Sequence, residues 1–210
     1  MKPYIITIER QYGSGGKTVG KMLAKHLKIP FYNREIVTMA SEESGINPVY
    51  FSDERLKPGF VERLRSRGND NAVLNDSRER YLTDDALFEH QTKVICRLAD
   101  EGPCVIVGRC ADFVLKGRED VVRVFVHADD DFCLEQAMLV NSLSENQVKR
   151  KIAEVDEYHA KYYKYHTGKD WYDARNYDLS LNSGVLGFEG TMKEILNYMR
   201  VREESCADCE

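Results

Sequence analysis

The strongest chemical signal in the chain is Gln11-Tyr12-Gly13-Ser14-Gly15-Gly16-Lys17-Thr18. Loops of the form GxxxxGK[ST], set between a strand and a helix, cradle phosphates. Their backbone N–H groups line the anion, the lysine reaches its outer phosphates, and the hydroxyl joins a Mg²⁺ shell. Gly16-Lys17-Thr18 match that form, and Gln11 stands where the first glycine belongs. Gly13, Gly15 and Gly16 still allow successive N–H groups to form one concave nest, and a helix starting near Lys17 adds its positive end. The spacing therefore predicts an anion-binding loop of Gly13, Ser14, Gly15, Gly16, Lys17 and Thr18. Lys17 would stabilise the β- and γ-phosphates, and Thr18 would take a metal position. A dinucleotide GxGxxG fingerprint is excluded, because Gly13 and Gly15 would require glycine where Thr18 stands.

Such a loop needs a strand before it and a helix behind it. Tyr4–Ile8 is β-branched and apolar, and Val19, Met22, Leu23 and Leu27 recur at helical spacing. Pro30-Phe31-Tyr32 opens a short second strand. From Glu35 to about Arg80 the periodicity weakens, and Pro48, Pro58, Gly59 and the polar run Arg65–Asp76 predict a mobile, partly helical insertion. Thr83-Asp84-Asp85 predicts the cap of a helix running to Asp100, with Leu87, Val94, Ile95 and Leu98 inward. Cys104–Val107 and Val121–Val126 are dense apolar runs, as in strands buried on both faces of a parallel sheet. Leu134–Tyr165 reads as mostly helical and charged, and Leu179 and Leu181 alternate with polar neighbours as a last strand. Phe188, Met192, Ile195, Leu196 and Met199 form the inward face of a closing helix. The sum is an α/β fold of about five βα repeats with one insertion and one charged hairpin.

A chain of 210 residues can bury one substantial core without staples, and its length allows one domain or two. The formal charge of −5 argues against bulk nucleic-acid binding, which rests on neutralising phosphates, but permits a local basic pocket. No apolar run approaches the roughly 18–20 residues of a membrane span, and Glu9-Arg10 follows too soon for a signal peptide. A soluble cytoplasmic protein with no nucleic-acid or membrane partner is expected. Cys96, Cys104, Cys110 and Cys133 sit in apolar or helical contexts as small hydrophobes. Cys206-Ala-Asp-Cys209 has half-site spacing, but no second CxxC completes a four-ligand zinc site.

Ile6–Gly16 followed by Ile29–Glu35 resembles the opening of the cytidylate kinase-like proteins, relatives of the nucleoside monophosphate kinases. The likeness continues through Val105–Asp112, Arg123–Ala128, Tyr162–Gly168 and Asn176–Leu179, covering nearly the whole chain in order. The resemblance implies a three-layer P-loop fold with a parallel sheet of about five strands flanked by helices. It further implies a single kinase-like domain over 1–210, with an acceptor-binding insertion at about 35–100 and a LID at about 145–172. ATP would be the donor, Mg²⁺ the cofactor and a small phosphorylated molecule the acceptor, CMP being the family default. Carried over onto this sequence, Arg109 follows the third strand where relatives have a Gly-Arg-Asp triplet that contacts the acceptor. Here the triplet is Gly108-Arg109-Cys110, with Asp112 two residues on as a substitute for the missing acid. Arg34, after the second strand, would bind the acceptor's phosphate. Arg150, with Lys151, Lys161 and Lys164, would close over the reaction. The catalytic expectation is Lys17, Arg109, Arg150 and His159.

The departures carry information too. Relatives tend to show Asp-x-x-Arg where this chain has Asp156-Glu157-Tyr158-His159. A histidine is mostly neutral near pH 7, has a shorter reach and lacks the bidentate fork. Asn33 stands where relatives often carry Asp, and Phe132 or Cys133 replaces a further arginine. Trp171 reads as packing between LID and core. Three readings stay open: a phosphotransferase of the nucleoside monophosphate kinase type, a weak or inactive nucleotide-binding protein on the same fold, and a small-molecule kinase with a non-nucleotide acceptor.

Overall fold

The apolar run after Tyr4 becomes β1, Ile5–Arg10, which does not alternate because both its faces are covered: Ile5, Ile6, Thr7, Ile8 and Glu9 are all buried. The computed structural model describes residues 4–51 and 84–207. These belong to two compact units, one drawn from Met1–Asn33 and Leu98–Glu210, the other from Arg34–Arg97.

In the first unit β1 is the middle strand of a five-stranded parallel sheet. Its partners are β2 (Phe31–Tyr32), β3 (Val105–Val107), β4 (Val121–His127) and β5 (Leu179–Asn182), in the order β2-β3-β1-β4-β5. The register sets Ile8 beside Val107 and Val124, and Arg10 beside Val126. Hence the loops leaving β1, β3 and β4 emerge together at the carboxyl ends of the strands, where open α/β sheets bind ligands. Helix α1, Gly16–Leu27, covers the sheet through Val19, Leu23 and Ala24. Gly20 lets it approach closely: a Cβ there would lie 3.1–3.2 Å from Phe31, Ile8 and Val107. Ile195 and Met199 join the same core from the closing helix.

The second unit holds α2, Glu35–Ser44, which buries Ile36 and Ala40, and a 3₁₀ turn at Pro48–Phe51. The polar stretch Arg65–Asp76, with Pro58, Gly59 and Thr83, lies outside the described residues, as do Cys209 and the side chain of Cys206. The predicted helix after Thr83 is α3, Asp84–Glu101, with Leu87, Val94, Ile95 and Leu98 buried.

A four-residue helix α4, Ala111–Val114, follows β3. The stretch Leu134–Tyr165, expected to be mostly helical, holds parts of two helices, α5 (Asp130–Leu139) and α6 (Glu145–Thr167). The break comes at a capping box, in which Ser144 and Gln147 satisfy each other's backbone N–H groups. The closing helix α7, Ser183–Ala207, is interrupted at Gly187, whose φ of 66° no ordinary helix contains.

Candidate functional site

The loop between β1 and α1 is pinned from outside and left open on its backbone. Gln11 donates its N–H to Val126 O (3.1 Å) and accepts from Ala128 N at Oε1 (3.2 Å). The residue that departs from the glycine consensus thus tethers the loop to the end of β4. Ser14 Oγ, fully buried, donates to the carbonyls of Gln11 and Val126 at 2.9 and 3.0 Å, and Ser14 O accepts from Ser183 Oγ at 2.6 Å. Gly13 and Gly15 have φ of 89° and 78°, the left-handed region. A Cβ on Gly13 would overlap the carbonyl oxygen of Cys133, and one on Gly15 would enter the Phe188 ring.

Against this framework, the N–H groups of Gly13, Gly15, Gly16, Lys17 and Thr18 have no hydrogen-bond partner among the described residues. The first intrahelical bond is from Val19 N to Gly15 O at 2.9 Å. Helix α1 has no side-chain cap and no acid in its first turn, so its positive end is not neutralised. Lys17 and Thr18 are exposed at that end. Unpaired amides, a bare helix end and a lysine together form a cup that could hold an anion, on the loop that the glycine spacing singled out.

The turn after β3 is the second element. Gly108, Arg109 and Cys110 have φ of 76°, 65° and 53°, three left-handed residues in succession, two of them with side chains. Each non-glycine residue there costs about 1–2 kcal/mol, so the turn is held by its surroundings. Gly108 N donates to Ile8 O (3.0 Å), and Cys110 N donates to Glu9 Oε1 (3.2 Å). The Arg10 guanidinium lies over Gly108, where a Cβ would meet its Nη1 at 2.8 Å. Arg10 and Arg109 both act on His159 of α6, whose pKa falls to about 3 through burial and these two cations. His159 is therefore neutral, and its Nδ1 is buried without a partner.

Helix α6 and the segment after it close on the same strand ends. Asp156 Oδ1 accepts from Tyr12 N at 2.7 Å, and burial raises this acid to about 6. The Tyr12 hydroxyl accepts from Asn141 Nδ2 at 3.1 Å, and Lys151 Nζ stands 5.5 Å from its ring centre. Tyr163 OH donates to Asp112 Oδ2 at 2.6 Å, and Trp171 Nε1 donates to Glu9 Oε2 at 3.1 Å. Burial, then the neighbouring Asp112, pushes Glu9 up to about 7, and burial pushes Asp112 up to about 6. The Cys110 thiol rises well above its usual range by burial and by both carboxylates.

Of the residues singled out in the sequence, Gly13 to Thr18, Arg109, Asp112 and His159 belong to the unit that holds the loop. Asp112 is 3 % exposed, with its carboxylate on Tyr163. Arg150 lies on an exposed stretch of α6. Lys161 pairs with Glu157, and Lys164 donates to Gly168 O at the end of its own helix. Arg34, exposed, stands at the head of α2 in the other unit. Two participants were not foreseen. Glu9 and Arg10 end a buried apolar strand, and a charged pair at that place is a signal the sequence does carry.

The sequence profile of the cytidylate kinase-like family matches residues 5–185. None of the curated proteins matches the chain. Among solved structures, an uncharacterized protein from Eubacterium ventriosum is similar at 23% identity and a TM-score of 0.69, over 94% of this chain and 98% of that one. Shikimate kinase from Bacteroides thetaiotaomicron is similar at 12% identity and a TM-score of 0.53, over 94% and 98%. The YorR protein from Bacillus subtilis, in complex with phosphorylated GDP, is similar at 15% identity and a TM-score of 0.52, over 95% and 98%. At these identities the likeness is one of fold, a parallel sheet flanked by helices with the phosphate loop after its middle strand.

Proposed function

The chain belongs to the cytidylate kinase-like family, and from that premise we propose that it is an ATP- and Mg²⁺-dependent phosphotransferase of the nucleoside monophosphate kinase type. Its acceptor is CMP or a related small phosphorylated molecule. The observation that carries this reading is the set of amides at Gly13, Gly15, Gly16, Lys17 and Thr18, unpaired among the described residues, at the uncapped start of α1. Buried or half-buried N–H groups are rarely left unpaired unless a ligand takes them, and a triphosphate supplies acceptors in the needed number.

Phosphoryl transfer needs positioning and charge stabilisation more than covalent chemistry. The loop amides and Lys17 hold the donor's β- and γ-phosphates. Among the described residues no group of three His, Cys, Asp or Glu side chains could bind a metal by itself, so Thr18 would hold Mg²⁺ together with the donor's phosphates, as this cation prefers. Mg²⁺, when bound, shields the negative charge of the phosphates. Arg109 holds the acceptor's phosphate, Arg34 on the other unit is a candidate for that role by its sequence position alone, and Arg150 closes from α6. Neutral His159 adds no charge, and Arg10 with Arg109 supplies the guanidinium charge at that place. Asp112 acts through Tyr163 to fix α6 rather than by touching the acceptor. The acidic balance fits small-molecule work in the cytoplasm, and among the described residues no helix is long and apolar enough to cross a membrane.

Release of ADP, followed by a coupled assay across nucleoside monophosphates and other phosphorylated acceptors, tests the reading. Binding of Mg·ATP without ADP release on any acceptor would sink it. The neutral, buried His159 favours a second reading, a nucleotide-binding protein with little turnover. His159→Arg separates the two: a large gain in rate marks a weakened enzyme, and no rate in either form marks a binder. A non-nucleotide acceptor would keep the donor half unchanged, and the same screen would find it.

A further inference from the structure

Glu9 is 4 % exposed at the end of a strand whose other inward side chains are apolar or hydroxylic. A carboxylate is taken out of water there only if its oxygens are used. They go to different elements: Oε1 accepts from the Cys110 amide at 3.2 Å and Oε2 from the Trp171 indole at 3.1 Å. The first bond fastens the turn that carries Arg109 in a left-handed conformation. The second fastens the segment that follows α6, through the single tryptophan of the chain. Next to it, Tyr163 of α6 donates to Asp112, just beyond the same turn.

We infer that Glu9 is a positioning residue that holds Arg109 in its left-handed turn and ties that turn to the segment after α6, so that the acceptor-side arginine and the covering helix are set together. This rests on the reading of Arg109 as an acceptor-holding residue. The geometry supports it because a single carboxylate spans β1, the β3 turn and the chain after α6, elements far apart in sequence. The charged and titratable groups facing it are Arg10 on its own strand (3.9 Å), Cys110, Asp112, Tyr163 and Tyr177. An ionised Glu9 accepts from both donors, whereas a protonated one accepts well through one oxygen only. The two bonds therefore strengthen together as the pH rises through neutrality.

The test follows the Cys110 amide and the Trp171 indole N–H by NMR of the full-length, ¹⁵N-labelled chain across neutral pH. In the wild type the two signals are expected to titrate with one midpoint. In Glu9→Gln, which can accept from one donor only, that titration is expected to vanish while the Gly15–Thr18 amides stay in place. Kinetics with Mg·ATP and CMP as the probe acceptor should show the KM for CMP raised roughly tenfold and that for ATP within about twofold. Signals that do not titrate together, or two KM values that rise equally, overturn the assignment. If Glu9→Gln fails to fold, Trp171→Phe replaces it: removing that donor destabilises the carboxylate, so the Cys110 midpoint must move up, and an unmoved midpoint overturns the assignment. Absence of transfer to CMP in every form, wild type included, counts against the proposed acceptor alone, because the NMR outcome decides the role of Glu9 independently.

Discussion

The two sides of the strand ends are built on opposite principles. On the phosphate-loop side, hydrogen bonds involving Gln11, Ser14 and Ser183 fix the backbone from behind, and the amides of Gly13, Gly15, Gly16, Lys17 and Thr18 are left unpaired among the described residues. On the α6 side the buried acids are held by donors, Glu9 by Cys110 and Trp171, Asp112 by Tyr163 and Asp156 by Tyr12, while His159 Nδ1 and the second oxygen of Asp112 are buried without a partner. The first side is a pinned loop with unsatisfied amides, the receptor for phosphate under the proposed function. The second is a buried network of acids in low dielectric, where protonation and packing are coupled. An identical ligand charge would therefore be felt differently on the two sides, by direct contact on the first and through shifts of the network on the second.

The sharpest way to break the comparison is at Lys17. It is exposed and its side chain makes no hydrogen bond or ion pair among the described residues, so Lys17→Ala should leave stability within about 0.5 kcal/mol of wild type. Its loss of a donor to the transferring phosphates should lower kcat/KM by about 10²–10³. Steady-state kinetics beside thermal unfolding checks both halves, and a stability loss as large as the rate loss would make Lys17 structural.

Next comes the backbone of the cup. Gly13→Ala would force a Cβ into the Cys133 carbonyl oxygen at a positive φ, and neither can relax because Cys133 belongs to α5. Denaturant unfolding should show a loss of about 3 kcal/mol or more, and Mg·ATP binding by calorimetry should fail in whatever fraction folds. A mild effect would mean the loop is softer than the α6 side.

The α6 side gives the third effect, in pH. Glu9 keeps its proton to about 7, and Asp112 and Asp156 keep theirs to about 6, above the ordinary 4.5 and 3.8. Between roughly pH 4 and 7 the folded chain thus binds more protons than the unfolded one, and stability falls as the pH rises. His159 opposes this, since its pKa of about 3 in the fold lies below 6.5, so its contribution grows with pH over that interval. Three acids outweigh one imidazole. The Tm should drop by several degrees from about pH 5 to 7, at about 2–4 °C per kcal/mol for a chain of this size. A Tm that rises over that interval would refute the buried network.

What could be read beforehand follows the range of each interaction. The cup is local, with glycines, lysine and threonine within eight residues, and its geometry follows from φ preferences carried by those residues themselves. The buried strands were equally legible, because apolar runs such as Val121–Val126 leave few alternatives. The α6 side was not, because its bonds join residues 51 to 162 positions apart, as in Tyr163 to Asp112 and Trp171 to Glu9. Gln11 looked like a defect in the motif, and its tether to Ala128 is visible only once β4 lies beside β1. His159 was read as mostly neutral from its ordinary pKa; burial beside Arg10 and Arg109 makes it so throughout the physiological range.

The smallest effect is the one that joins the two sides. Asp156 is the single acid of α6 that touches the phosphate loop, through Tyr12 N, and it stands under a segment meant for anions. Asp156→Asn keeps an oxygen that can accept from Tyr12, so stability should change by no more than about 1 kcal/mol. What disappears is a negative charge near the cup above about pH 6. Coulomb's law at the effective dielectric of a partly wet site makes such a charge worth roughly 0.5–1 kcal/mol against a bound phosphate. Inorganic pyrophosphate should therefore bind about twofold to fivefold more tightly to the variant at pH 8, and equally to both forms at pH 5, where the wild-type acid is already neutral. Calorimetry at the two pH values decides it. A gain that persists at pH 5 would trace to altered loop geometry rather than charge, and the α6 side would then be shaping the loop by packing alone.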